Sequence, residues 1–88
     1  MKLTLDNKEI EVGIAKAKHI LQIEEKLGKS ITQIGTEPSF ADLFKVFCVA
    51  IIASESTMTE DWLAENIGFE HMPVMSEVIQ NFLAVPNT

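Results

Sequence analysis

The sequence predicts a mainly α-helical protein, a small bundle of about four helices preceded by a short β-hairpin. Three observations support this fold class. Apolar residues recur every three or four positions through most of the chain, as they do on one face of a helix. Strict alternation of apolar and polar residues is confined to the first twelve positions. Capping residues, glycines and prolines stand where the helical patterns begin and end. With 88 residues, the chain is expected to form one domain over 1–88.

The first twelve residues, MKLTLDNKEIEV, predict a β-hairpin over 1–12. The turn is expected at Asp6-Asn7-Lys8, because Asp and Asn are common turn residues. The alternating apolar residues are Leu3, Leu5, Ile10 and Val12. Two strands alone are only marginally stable in water, so the hairpin is expected to rest on helices or to pair with another chain.

The next segment predicts a first helix over 14–27. Gly13 ends the strand alternation, and Gly28 can adopt the left-handed conformation that terminates helices. Between them, apolar residues follow helical spacing over about half of the helix circumference. They are Ile14, Ala17, Ile20, Leu21, Ile23 and Leu27. The opposite face is polar, so this helix is expected to contact the core on one side. Residues 30–38 are expected to form a connection, and Pro38 disfavours helix before it.

A second helix is predicted over 40–54. Ser39 can cap its N-terminus, and Asp42 adds the negative charge that the first turn of a helix favours. From Val46 to Ala53, eight consecutive residues carry no polar side chain. A helix that is apolar on every side has to be covered on every side, and this run is shorter than the roughly 20 residues of a membrane span. We expect it to be the central helix, covered by the rest of the chain or by a partner.

Two further helices are predicted, over 60–66 and 73–84. Thr59 is a good N-cap for the first, and Gly68 follows its end. Pro73 suits the first position of the last helix, where apolar residues again recur at three and four. They are Val74, Met75, Val78, Ile79, Phe82 and Leu83.

Charge is unevenly distributed in this chain, whose net charge is −6. All seven basic residues are lysines at or before Lys45, where seven acidic residues balance them. Residues 46–88 contain six acidic residues and no basic one. Nucleic-acid binding depends on clustered Lys and Arg, so no nucleic-acid partner is expected. The acidic half is interpreted as a solubilising surface or as a docking face for a basic partner.

No pattern of residues predicts a reaction. Cys48 lies in the most apolar run and cannot form an internal disulfide, which indicates a reducing compartment, expected to be a cytosol. Together with His19 and His71, it matches no zinc-binding spacing. The isolated glycines form no phosphate-binding loop, and the N-terminus resembles neither a signal peptide nor a membrane anchor. We expect no catalytic, cofactor-binding or metal-binding residues and no membrane partner.

A partner-binding surface is instead predicted on the central helix and beside it. The chain has few elements to cover a helix that is apolar all round, tryptophan is enriched at binding hot spots, and methionine suits adaptable apolar surfaces. The predicted contact residues are Phe44, Phe47, Ile51, Trp62 and Met75. The same apolar excess, with the open edges of the hairpin, predicts self-association into a homo-oligomer.

The order of short segments resembles a known family. A hairpin opening on MKLTLDNKEIEV is followed by a helix ending in IEEKLGKSI, by PSFADLFKVF, and by a helix that a threonine and acidic residues begin. This order is similar to the tail assembly chaperones of long-tailed bacteriophages and prophages, and the similarity covers nearly the whole chain. The family has no catalytic motif, so no functional residue carries over by identity.

The resemblance implies a small, mostly helical, non-catalytic assembly factor in the cytoplasm of the bacterial host. It would bind the hydrophobic tape measure protein and keep it soluble while the tail tube polymerises around it. It also implies self-association, and a second, C-terminally extended product of the same gene made by ribosomal frameshifting. This chain would then be the short form.

Other classes of protein share part of this description. Acyl carrier proteins are acidic, four-helical and of similar size, but they need a serine at a helix start, usually in Asp-Ser-Leu. Here Ser39 follows Pro38, and Ser76 lies inside a predicted helix. A small regulatory protein-interaction module, such as a transcription regulator, is a further alternative, which the acidity and the absence of arginine disfavour. A small hydrolase would need a nucleophile and base pair that the sequence does not suggest.

Overall fold

The computed structural model describes residues 2–5, 7–30 and 39–83, and it confirms a mainly α-helical fold with a two-stranded N-terminal hairpin. Met1, Asp6, most of the expected 30–38 connection and Ala84 lie outside the described residues. The elements are β1 Lys2–Leu5, β2 Lys8–Glu11, α1 Ala17–Leu27, α2 Phe40–Ser54, α3 Glu60–Asn66, a short 3-10 turn at Phe69–His71, and α4 Met72–Phe82.

The hairpin is antiparallel and rests on the central helix. Leu3 pairs with Ile10, and Leu5 pairs with Lys8. Asn7 has a φ of 60°, a left-handed conformation that asparagine adopts more readily than most residues. Ile10 is buried and β2 contacts α2. The hairpin therefore rests on a helix of its own chain, which is one of the two arrangements expected from the sequence.

The predicted bounds of the second and third helices coincide with α2 and α3, because both begin at side-chain caps. The Ser39 hydroxyl accepts a hydrogen bond from the Asp42 N–H at 3.1 Å. The Thr59 hydroxyl accepts one from the Trp62 N–H at 3.1 Å. Gly28 ends α1 with a φ of 70°, and its N–H donates to the Glu24 carbonyl. These interactions join residues that are close in the sequence, so the sequence alone can predict them.

Helix α1 begins at Ala17, three residues later than the predicted Ile14. Lys16 is extended, and its N–H donates to Nδ1 of His19 at 2.9 Å. Just before it, the Ala15 N–H donates to the Phe82 carbonyl at 2.7 Å. The chain therefore crosses to the end of α4 before it turns into α1, and Ile14 is left about half exposed. Helix α4 begins one residue earlier than predicted, at Met72.

Helix α2 is the centre of the molecule, and the chain itself covers most of its surface. It packs against α1, α3, α4 and β2. Its buried residues are Leu43, Val46, Phe47, Cys48, Val49, Ala50 and Ile51. Consequently, the apolar circumference of α2 does not by itself require a partner. In the described ranges, no helix combines the length and hydropathy that crossing a lipid bilayer requires.

Stability is expected to fall at mildly acidic pH through His19. Partial burial, then Lys18 and Lys16, lower the pKa of this imidazole from its ordinary value of 6.5. Because the pKa is lower in the folded chain, the unfolded chain binds more protons as the pH falls. The contribution of His19 to the free energy of unfolding is therefore complete above pH 6.5 and is lost as the pH drops through the folded pKa.

The measurement is the free energy of unfolding by urea as a function of pH, for the wild type and for His19→Gln. Glutamine at this position can still accept the Lys16 N–H, as in a capping box, but does not titrate. We expect the free energy of unfolding of the wild type to fall more steeply below pH 6.5 than that of the variant, because only the wild type has a group at position 19 that titrates there. Parallel pH profiles for the two proteins would contradict this role of His19.

Candidate functional site: an apolar groove and an aromatic stack

The five residues predicted to bind a partner do not form one surface in the structure. Phe47, Ile51 and Met75 are completely buried, with 0% exposure. They lie in the core cluster, and the helices that carry them, α2 and α4, pack against each other. Phe44 and Trp62 are half-buried at the edge of this core. A partner cannot touch these three buried side chains unless the helices separate, so in the folded chain only Phe44 and Trp62 of the predicted contacts are accessible.

A groove of about 740 Å³ runs between α1 and α2. Its floor is apolar and comes from Val49, Ile52 and Ala53 of α2. Their spacing places them on one stripe of the helix. Ile52 is half-buried and Ala53 is exposed. Val49 is buried, so Ile52 and Ala53 supply the accessible part of this floor.

The wall of the groove is polar, because α1 turns its charged face towards it. The wall residues are Lys18, His19, Gln22, Glu25 and Lys26. Lys26 Nζ lies 3.1 Å from Glu60 Oε2, an ion pair that joins α1 to α3 at the groove. The result is an apolar floor with a charged rim. Such a site can bind an apolar side chain or helix face while its margins stay hydrated.

A smaller depression of about 390 Å³ adjoins the groove and shares Lys18, His19 and Ala53 with it. It extends towards Ile14 and Phe82. The His19 ring lies against Phe82, with centroids 5.5 Å apart and planes tilted by 45°. Because its Nδ1 accepts the Lys16 N–H, the imidazole is held in a fixed orientation between the two depressions.

A second apolar surface is formed by three phenylalanines, here called the aromatic stack: Phe40, Phe44 and Phe69. The Phe40 ring lies 6.2 Å from that of Phe44 and 5.9 Å from that of Phe69, with interplanar angles of 7° and 12°. Phe69 is 76% exposed, the largest exposure among the large apolar residues described. Large apolar side chains this exposed often mark interaction sites when they lie together.

Phe69 was not among the predicted contact residues, because it is a single apolar residue in a predicted link between helices. The 3-10 turn at Phe69–His71 holds it outward. The Gly68 N–H donates to Nδ1 of His71 at 2.8 Å, and the His71 N–H donates to the Gly68 carbonyl at 2.9 Å. The only feature of the sequence that could have indicated an exposed Phe69 is its position beside an acidic residue and outside the helical periodicity.

The described residues suggest no reactive group at either surface. Cys48 is buried in the core, and burial, with a smaller contribution from Glu60, raises the pKa of its thiol to about 12. A thiol of that kind is a poor nucleophile. Residues 2–5, 7–30 and 39–83 contain no group of three His, Cys, Asp or Glu side chains that could hold a metal ion. What the two surfaces offer is apolar contact area with charged margins.

Comparisons with models of protein families, with curated proteins and with solved structures gave no match to this chain.

Proposed function

We propose that this protein is a non-catalytic tail assembly chaperone, which binds an apolar helical segment of a tape measure protein in the groove between α1 and α2. The observation that carries the proposal is the apolar floor of this groove, bounded by a charged rim. The resemblance of the sequence to tail assembly chaperones supplies the identity of the client. The complex would form in the cytoplasm of the bacterial host.

The groove has the features of helix-in-groove recognition. In this mode, an amphipathic helix lays its apolar face on a hydrophobic stripe and keeps its polar face in water. Val49, Ile52 and Ala53 supply the stripe, and Lys18 and Glu25 supply a rim with both signs of charge. The groove volume lies within the range of about 300–1,000 Å³ that is typical of ligand pockets. A client segment would be selected by its apolar face more than by a particular sequence.

The acidic second half of the chain would keep the complex with the client soluble. Six acidic residues and no Lys or Arg follow position 45, and although Glu60 pairs with Lys26, the second half of the chain keeps a net negative charge. Like charge on neighbouring complexes opposes aggregation of a hydrophobic client. A C-terminally extended product of the same gene would carry the same groove and could bind the same client.

The test is a substitution on the floor of the groove, Ala53→Arg, with the chain co-expressed with the tape measure protein. The arginine side chain would occupy the groove and place a charge on its apolar floor. We expect the amount of co-purified client to fall at least about tenfold, equivalent to 1.4 kcal/mol. Because Ala53 is exposed, the melting temperature should change little.

The matched control is Ala64→Arg, the same substitution at an exposed position on α3 that does not line the groove. It should bind and solubilise the client as the wild type does. Equal loss of binding in both variants would assign the effect to charge and not to the groove. Wild-type protein that neither co-purifies with the client nor increases its solubility would contradict the chaperone proposal itself.

A further inference from the structure

The charges on the wall of the groove follow a definite order along α1. Lys18 lies near the start of this helix and Glu25 near its end, and both line the groove with exposed side chains. Residues seven positions apart lie on the same face of a helix, and at 1.5 Å per residue they are about 10 Å apart along its axis. The rim therefore has a positive end and a negative end, two helical turns apart.

These two charges are not neutralised within the part of the chain that the structure describes. Among residues 2–5, 7–30 and 39–83, neither Lys18 nor Glu25 has an ion-pair partner. Lys26, the other lysine on the rim, is already paired with Glu60 at 3.1 Å. A bound molecule can therefore pair with Lys18 and Glu25 without first breaking an ion pair of the protein.

The depression beside the groove strengthens the positive end. Lys16, Lys18 and His19 line it, against one acidic residue, Glu11. Partial burial, then Lys18 and Lys16, lower the pKa of the His19 imidazole. The contribution of the two lysines to this shift shows that their positive charges lie close to one place.

We propose that the client helix of the α1–α2 groove has an acidic residue opposite Lys18 and a basic residue opposite Glu25, seven positions apart beside its apolar face. This inference rests on the proposed function, from which it takes a helical client. A client helix that lies along α1 covers the distance between Lys18 and Glu25 with two of its own turns.

The apolar floor and the two charges have different effects on the client. Burial of apolar side chains on Ile52 and Ala53 gives affinity, whereas charge complementarity fixes the register of a bound segment. It also fixes the direction. A client in which the acidic residue precedes the basic one lies parallel to α1, and a client with the opposite order lies antiparallel to it.

A helical segment fits this rim better than a small apolar anion such as a fatty acid. A fatty acid could lay its chain on the floor and its carboxylate beside Lys18, but it has no group to pair with Glu25. Charges of both signs at a two-turn spacing match a helix with one charge of each sign.

The experiment uses three helical peptides that share one leucine face and differ only at two positions seven residues apart. One peptide has Glu and Lys at these positions, one has two Lys, and one has two Glu. Fluorescence anisotropy of the labelled peptides gives their affinities for the wild type, Lys18→Glu and Glu25→Lys. A salt concentration of about 0.1 M screens charges more than about 10 Å away.

Two further variants serve as controls. Ala53→Arg shows whether the peptides occupy the groove. Glu65→Lys makes the same change of charge as Glu25→Lys, but at an exposed position of α3 that does not line the groove. All the substituted positions are exposed, so each variant should fold, which circular dichroism and thermal melting will verify.

We expect the wild type to bind the Glu–Lys peptide about twofold to fivefold more tightly than either of the others, which is the range for an exposed ion pair. Lys18→Glu should instead prefer the peptide with two Lys, and Glu25→Lys the peptide with two Glu. Glu65→Lys should keep the preference of the wild type. In about 1 M salt the preferences should disappear while binding remains.

Three results would overturn the inference. If the peptides bind, lose binding with Ala53→Arg and keep one order of affinity in all charge variants, the inference is wrong and the proposed groove for the client stands. If Lys18→Glu changes the preference and Glu25→Lys does not, the groove recognises an anion alone, as a fatty acid would supply. If no peptide binds the wild type, the groove does not hold helices, and the co-expression experiment decides separately whether the protein is a chaperone.

Discussion

Replacing Phe47 with alanine is expected to lower the free energy of unfolding by about 3–5 kcal/mol. Phe47 has 0% exposure and belongs to the core around α2, in contact with other buried residues. Removing its ring leaves a cavity that the helices packed on both sides cannot fill without moving. A domain of this size is stable by only about 5–15 kcal/mol, so the variant should be close to unfolding at room temperature.

Urea denaturation, followed by circular dichroism and by the fluorescence of Trp62, measures this loss. Phe44→Ala is the matched control, because Phe44 lies one helical turn earlier on α2 and is only half-buried. We expect the control to lose roughly half as much or less, in proportion to the apolar area that it buries. If the two substitutions cost the same, Phe47 is not a core residue, and its predicted role in partner binding becomes tenable again.

The features of the fold that could be predicted from the sequence are those set by neighbouring residues. The starts of α2 and α3 depend on Ser39 and Thr59, each of which binds a backbone N–H three residues further on. The start of α1 depends on a distant residue, because the Ala15 N–H donates to the Phe82 carbonyl near the end of the described chain. The periodicity that includes Ile14 contains no sign of that bond, so the predicted helix began too early.

The accessible face of α2 was harder to predict for a related reason. When a helix is apolar on every side, its sequence gives no preference among its faces. The packing of α4 and α1 decides that Phe47 and Ile51 are covered while Ile52 and Ala53 remain accessible. Phe69 points outward because of the 3-10 turn before α4. A turn of three residues is too short to show a periodic pattern in the sequence, so it could not be predicted. Of the predicted contact residues on α2, Phe47 and Ile51 are buried, whereas Phe44 is half-buried at the edge of the core.

Cys48 is expected to react with an aromatic disulfide reagent at least about a thousandfold more slowly in the folded chain than in the unfolded chain. The pKa of its thiol rises from 9.0 to about 12, first through burial and then through Glu60, with Lys26 opposing. Each pKa unit lowers the thiolate fraction tenfold at a given pH, and only the thiolate attacks the reagent. Burial of the sulfur in the core adds a steric barrier to the same reaction.

The reaction is followed by absorbance at mildly alkaline pH, with and without concentrated guanidinium chloride. The matched control is Ala64→Cys in a Cys48→Ala background, which presents a thiol on the exposed face of α3 and should react at nearly the unfolded rate. A folded Cys48 that reacts within tenfold of this control would mean that the thiol is accessible. A thiol-dependent enzyme would then become the stronger interpretation of the chain.

The same reaction decides how a client binds. Opening of the helices around α2 exposes the buried thiol to the reagent, so the labelling rate rises with the frequency of that opening. A client that binds in the groove contacts Val49, Ile52 and Ala53 without opening the core, and it should leave the rate unchanged or lower it. A client that instead contacted Phe47, Ile51 and Met75 would have to separate α4 from α2, and it would accelerate the labelling of Cys48. Labelling with and without the tape measure protein therefore distinguishes binding to the groove from binding to the opened core.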